Sequence, residues 1–143
     1  MLFSRSAEYA LRATALLALH PPGTLIMANR IAAEANMPAQ FLAKLLQLLA
    51  KGGLLRSVKG PHGGFGLTRP AREIRLADVL FGLDPEGLER HCPLGQSPCE
   101  APGCGMHIGW EAIHSRIVEY LERTTLADIS PRPVTVRESG SQS

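Results

Sequence analysis

The sequence reads as a mainly α-helical protein with a small β-hairpin wing: a winged helix-turn-helix followed by a long dimerisation helix. Three features point there. Two short helical segments are joined by a tight break at Asn36-Met37-Pro38, a glycine-rich basic hairpin follows them, and a long amphipathic segment comes after a cysteine-bearing loop.

Residues 6–20, SAEYALRATALLALH, hold no Gly or Pro and predict a helix that Pro21-Pro22-Gly23 ends. It is apolar almost all round, which predicts burial, in part against a partner chain. Its Glu8 and Arg12 stand four residues apart and make a ready ion pair. A second helix is predicted over residues 25–35, LIMANRIAAEA. Pro38 then suits the first turn of a third helix, where its missing N–H costs nothing.

That third helix is PAQFLAKLLQLLAKGG, stopped by Gly52-Gly53. Leu42, Leu45, Leu46 and Leu49 follow helical spacing and predict a core face. Gln40, Ala43, Lys44 and Gln47 follow the same spacing on another face. A helix pair with such a stripe is a helix-turn-helix candidate, although a solvated face is the commoner cause of a polar stripe.

LLRSVKGPHGGFGLTRP strengthens that candidate. It holds two β-like runs, LLRSV and FGLT, around a long glycine-rich tip. Arg56, Lys59, His62 and Arg69 cluster on it. Glycines such as Gly63 and Gly64 allow close approach to a phosphate backbone or a minor groove, or else serve the turn alone.

Residues 74–84 predict a short linking helix. MHIGWEAIHSRIVEYLERTT predicts a long one, with Trp110, Ile113, Ile117, Tyr120 and Leu121 along one stripe. A winged helix already has its own core, so the stripe predicts a second copy of the chain as its cover. His114 is expected to face solvent. The expected division is a DNA-binding unit over 1–83, a cysteine loop over 84–106, a dimerisation helix and C-terminal segment over 107–129, and a disordered tail over 130–143.

The charge is uneven. Residues 1–72 carry nine Lys and Arg against two acids, a net +7; residues 73–143 carry six against eleven, a net −5. A basic first half points to a polyanion partner. No apolar run reaches the ~18 residues of a membrane span, and Arg5, Glu8 and Arg12 interrupt what would be a signal peptide's apolar core. A cytoplasmic protein with no membrane association is expected.

The three cysteines all fall in HCPLGQSPCEAPGCGMHIGW, residues 91–110, among three prolines and four glycines. An odd number leaves one unpaired in any disulfide scheme, and disulfides are rare in the cytoplasm. Buried structural cysteines would sit on a helix face, not in such a loop. Soft thiolates in a mobile loop suit an iron–sulfur cluster or zinc. His107 follows Cys104 at C-x2-H, so Cys92, Cys99, Cys104 and His107 also make a tetrahedral zinc set; His91 reads as a bystander. A cysteine–histidine dyad would explain only one cysteine, and no phosphate loop or nucleophile motif is present, so an enzyme is disfavoured. A metal-free thiol sensor would need only two cysteines.

These residues resemble the IscR/NsrR family of dimeric winged-helix transcription regulators. The resemblance covers residues 1 to about 129. It is carried by SAEYALRAT in the first helix, KGPHGGFGL in the wing, IRLADV after it, the cysteine loop, and LERTTLADI at the end. It implies promoter DNA binding by a homodimer at a near-palindromic operator. It also implies an iron–sulfur cluster on Cys92, Cys99 and Cys104; the C-x6-C-x4-C spacing does not separate 2Fe–2S, which is preferred, from 4Fe–4S. The third helix becomes the recognition helix, with Pro38, Ala39, Gln40, Ala43, Lys44 and Gln47 toward DNA. Small hydroxyl residues are common in the family where Pro38 stands, which leaves the operator's identity open. For the fourth ligand, His107 has the short chelate ring and Glu8 stands second. The resemblance implies that an acidic residue at position 8 can reach the partner subunit's cluster.

Overall fold

The computed structural model describes residues 4–83 and 107–129. Its helices are α1 (Arg5–Leu17), α2 (Ala28–Ala35), α3 (Ala39–Lys51), α4 (Leu76–Leu83), α5 (His107–Arg123) and α6 (Leu126–Ile129). Strands β1 (Leu55–Val58) and β2 (Gly64–Leu67) lie between α3 and α4, and a 3-10 turn spans Ala71–Glu73.

The core forms where α1 meets α2, α3 and α4. Ser4 starts α1 by accepting the Ala7 N–H at 3.1 Å. The inward face of α1 is small: Ala10 and Ala13 are fully buried, so neighbouring helices approach closely. Thr14, also fully buried, donates its hydroxyl to the Ala10 carbonyl at 2.8 Å, which satisfies it. From α3, Leu42, Leu46 and Leu49 enter this core as the periodicity predicts, and Leu45 is buried beside them.

Two boundaries differ from expectation. Residues 25 and 26 are not the start of α2. Ile26 exchanges both backbone hydrogen bonds with Phe65, at 3.0 and 2.8 Å, so it acts as a third strand on β2. Pro38 is the N-cap of α3 and lies outside its first turn, in extended backbone at φ −63° and ψ 128°. Asn36 closes α2 in the left-handed conformation, φ 59°, which Asn tolerates.

The wing is an antiparallel hairpin in the register Leu55↔Leu67, Arg56↔Gly66, Ser57↔Phe65 and Val58↔Gly64. Held between β1 and residue 26, β2 has a buried Phe65 and Leu67, whereas Arg56, Ser57 and Val58 on β1 are exposed. Two glycines are required by close approach. At Gly64 the backbone has φ +141° and a Cβ would stand 2.6 Å from Ile26 backbone atoms. A Cβ on Gly63 would collide with the Val58 carbonyl.

The ends of α5 and α6 return to the same core. Leu121 and Leu126 are buried in it, and Ile117 packs against it. The stripe assigned to a partner therefore divides. Leu121 is a core residue of its own chain, and Ile117 is half-buried there, because the last turns of α5 pack along α4. Ile113 and Tyr120 remain 55% and 52% exposed. Among the described residues no helix is long and apolar enough to cross a membrane.

Candidate nucleic-acid interface

The polar stripe of α3 stands opposite its core face. Gln40, Lys44 and Gln47 are exposed along it and Ala43 is half-exposed, while Pro38 and Ala39 are exposed at the N-terminal end of the helix. The helix is held in register by an aromatic stack. Tyr9 of α1 meets Phe41 edge-on, with ring centroids 5.5 Å apart and planes at 71°. The Arg12 guanidinium lies 5.0 Å over the Tyr9 ring and donates to the Ala35 carbonyl at 3.3 Å. One side chain thus braces α1, the end of α2 and, through Tyr9, α3.

That arrangement overturns the expected pairing of Arg12 with Glu8. The guanidinium turns to the Tyr9 ring and the orphan carbonyl at the end of α2. Glu8 itself is half-buried on α1.

On the wing, Arg56, Lys59 and His62 are exposed, joined by Ser57, which the sequence does not single out. The tip is a turn closed by Gly63 N–H donating to Gly60 C=O at 3.0 Å, which projects Lys59, Pro61 and His62. Gly63 is buried within the hairpin, so its service here is to the turn. Arg69 leaves the tip cluster. Its guanidinium donates to the Glu73 carbonyl at 3.0 Å and lies 4.0 Å from Asp78.

A further residue of the α3 surface is missing from the sequence expectation: Leu48, 51% exposed next to Gln47. It falls within a leucine-rich run and so resembles core. Its position on the helical period lies off the buried stripe of Leu42, Leu45, Leu46 and Leu49.

Cys92, Cys99 and Cys104 lie outside the described residues, and so does His91. His107 is the first residue of α5. Among the described residues no group of three or more His, Cys, Asp or Glu is placed to hold a metal. Two buried nitrogens on α5 do lack a hydrogen-bond partner, Trp110 Nε1 and His114 Nε2. Their rings are tilted at 41° with centroids 6.1 Å apart. This corrects the expectation for His114, which is half-buried with its Nε2 out of contact with solvent.

The sequence matches the Rrf2 family, described as an iron-dependent transcriptional regulator, over residues 3–132. It is 39% identical over 131 residues to a Mycobacterium tuberculosis protein named as a helix-turn-helix-type transcriptional regulator, covering 91% of this chain and 81% of that one. Two solved structures share the fold. CymR, described as the global cysteine regulator of B. subtilis, superposes with a TM-score of 0.74 at 25% identity, over 90% of this chain and 95% of that one. IscR of T. potens superposes with a TM-score of 0.69 at 27% identity, over 87% and 82%.

Proposed function

Because this chain belongs to the Rrf2 family of iron-dependent transcriptional regulators, we propose that it is a cytoplasmic repressor that binds promoter DNA as a homodimer and whose operator binding follows the state of an iron–sulfur cluster. The family is one of DNA-binding regulators, not of enzymes. The observation that carries the DNA-binding reading is the exposed stripe of Gln40, Lys44 and Gln47 on α3 beside the wing's Arg56, Lys59 and His62. Glutamine and lysine can address base edges, and the wing's cations address phosphates.

In this reading residues 1–83 bind DNA, residues 84–106 hold the cluster and α5 joins two copies through Ile113 and Tyr120. A two-fold dimer implies a near-palindromic operator.

The cluster assignment rests on the cysteines, since the fold is shared with a cysteine regulator as well as with IscR. The residues present fit such a group. Cys92, Cys99 and Cys104 offer three soft thiolates. The segment that bears them leads into α5, where two buried nitrogens, Trp110 Nε1 and His114 Nε2, have no hydrogen-bond partner. His107 supplies the fourth ligand by its short chelate step, with Glu8 of the partner as the competing donor. Bound there, the group, preferably 2Fe–2S, supplies one-electron redox chemistry and reactivity toward oxygen or nitric oxide.

The test is anaerobic purification followed by a visible spectrum and iron, sulfide and zinc analysis. Coloured protein with acid-labile sulfide, bleached by Cys99→Ala, is expected. Colourless protein with one zinc per chain and no sulfide after reconstitution would overturn the cluster.

A further inference from the structure

We propose that Leu48 reads thymine: its side chain meets a thymine C5-methyl group in the major groove and sets base preference at one position of each half-site. The inference rests on the DNA-binding reading above and deepens it.

Leu48 is 51% exposed on a helix whose Leu42, Leu45, Leu46 and Leu49 are at most 4% exposed. A single exposed leucine ordinarily needs no explanation. The setting of this one asks for it. It stands one turn after Lys44 and one turn before Lys51, with exposed Gln47 beside it. This strip of α3 is therefore apolar at Leu48 and cationic to either side.

Such a surface suits DNA in a particular way. The lysines and the glutamine can hydrogen-bond to phosphates or base edges, whereas a leucine gains nothing from a phosphate. Among the base edges that face the major groove, the apolar group is the thymine methyl. Neighbouring Gln47 has the paired donor and acceptor that match adenine N7 and N6. Leu48 and Gln47 together fit a site that offers a thymine methyl next to an adenine edge.

The experiment uses the full chain. An operator is first enriched from random DNA by the wild-type protein. Each thymine is then replaced by deoxyuridine, which removes the methyl and keeps every hydrogen-bonding group. Wild-type affinity should fall about fourfold at one thymine per half-site, the equilibrium worth of burying one methyl-sized group. Leu48→Ala, which removes the contact from both half-sites, should bind the thymine operator about sixteenfold more weakly and be indifferent to deoxyuridine at that position. Lys51→Ala should weaken both operators equally. Because Leu48 lies outside the core, Leu48→Ala should melt like the wild type, which separates a lost contact from a lost fold.

Two results would overturn the inference alone: a wild type indifferent to deoxyuridine everywhere, or a Leu48→Ala variant that keeps every wild-type penalty. If no sequence is enriched over random DNA, the DNA-binding reading fails and this one falls with it.

Discussion

Arg75 and Thr125 face each other across an isolated antiparallel bridge. Leu76 N–H donates to Thr124 C=O and Leu126 N–H donates to Ile74 C=O, each at 2.8 Å. Both segments then enter a helix through the same three residues, Leu76-Ala77-Asp78 and Leu126-Ala127-Asp128. In each, the aspartate accepts the N–H three residues back: Asp78 from Arg75 at 2.8 Å and Asp128 from Thr125 at 2.9 Å. Ile74 and Leu126 are fully buried beneath the bridge. The chain leaving the wing and the chain leaving α5 are therefore fastened at one point. A movement of α5 must carry α4 with it or break two hydrogen bonds.

Asp78 is the most connected side chain of this clasp. Besides the Arg75 N–H it receives the Arg75 guanidinium at 3.0 Å and lies near Arg69. Asp78→Ala should lower unfolding free energy by roughly 0.5–2 kcal/mol, the range of a lost side-chain bond at a helix N-terminus. Asp128→Ala should cost less, because α6 has only four residues. Urea denaturation of the two variants measures both.

The same carboxylate sets an acid limit. Partial burial pushes the Asp78 pKa up, but the hydrogen bonds from the Arg75 side chain and backbone, with the charges of Arg75 and Arg69, outweigh it and hold the carboxyl below its usual value. A depressed folded-state pKa means the unfolded chain binds the proton more readily. The stabilisation is thus complete above the ordinary aspartate range near about 4 and is lost as pH falls through the lower folded-state value. Melting followed down from neutral pH should show a smaller acid-induced loss in Asp78→Asn than in the wild type. Equal losses would remove Asp78 from this role.

Dimerisation through α5 should depend on Ile113 and Tyr120, the residues of the stripe that stay exposed. Ile113→Glu should yield folded monomers at micromolar concentration by light scattering, with an unchanged helical spectrum. Leu121→Glu should instead unfold the domain, because it places a charge in the core. A dimeric Ile113→Glu protein would move the interface elsewhere.

Glycine substitutions should separate the wing from the long helix. Gly64→Ala forces a Cβ against Ile26 in a backbone region that L-residues rarely adopt, and should cost about 1–3 kcal/mol. At Gly109 in α5 an added methyl would meet nothing within 4 Å, so Gly109→Ala should be neutral or stabilise by up to about 1 kcal/mol. Thermal melts of the pair check the contrast.

Much of this architecture is legible in residue order, and the exceptions share a cause. The spacing of Leu42, Leu45, Leu46 and Leu49 announces α3, because a helix core face depends on local periodicity alone. Ile26 reads as helix because its neighbours are helix formers, yet its conformation is set by Phe65, far along the chain. Leu121 looks unpartnered in the sequence because the packing of α5 along α4 is a tertiary property. Spacing pairs Arg12 with Glu8, while in the fold a ring and a helix-end carbonyl compete for it. The clasp does carry a sequence signal, the repeated Leu-Ala-Asp of residues 76–78 and 126–128. The candidate DNA face is legible for the same reason as α3, apart from Leu48.

The central claim, that cluster state governs operator binding, is tested most directly by comparing DNA binding of the wild-type protein with its cluster intact and after its removal, at one fixed salt concentration. Genomic fragments compete against random DNA in both states, with Cys99→Ala as the cluster-free control. At least one promoter fragment should be bound well above random DNA, with an affinity that changes when the cluster is lost and a cluster-free value that Cys99→Ala reproduces. No fragment preferred over random DNA in either state, or a preferred fragment bound identically with and without the cluster, would contradict it.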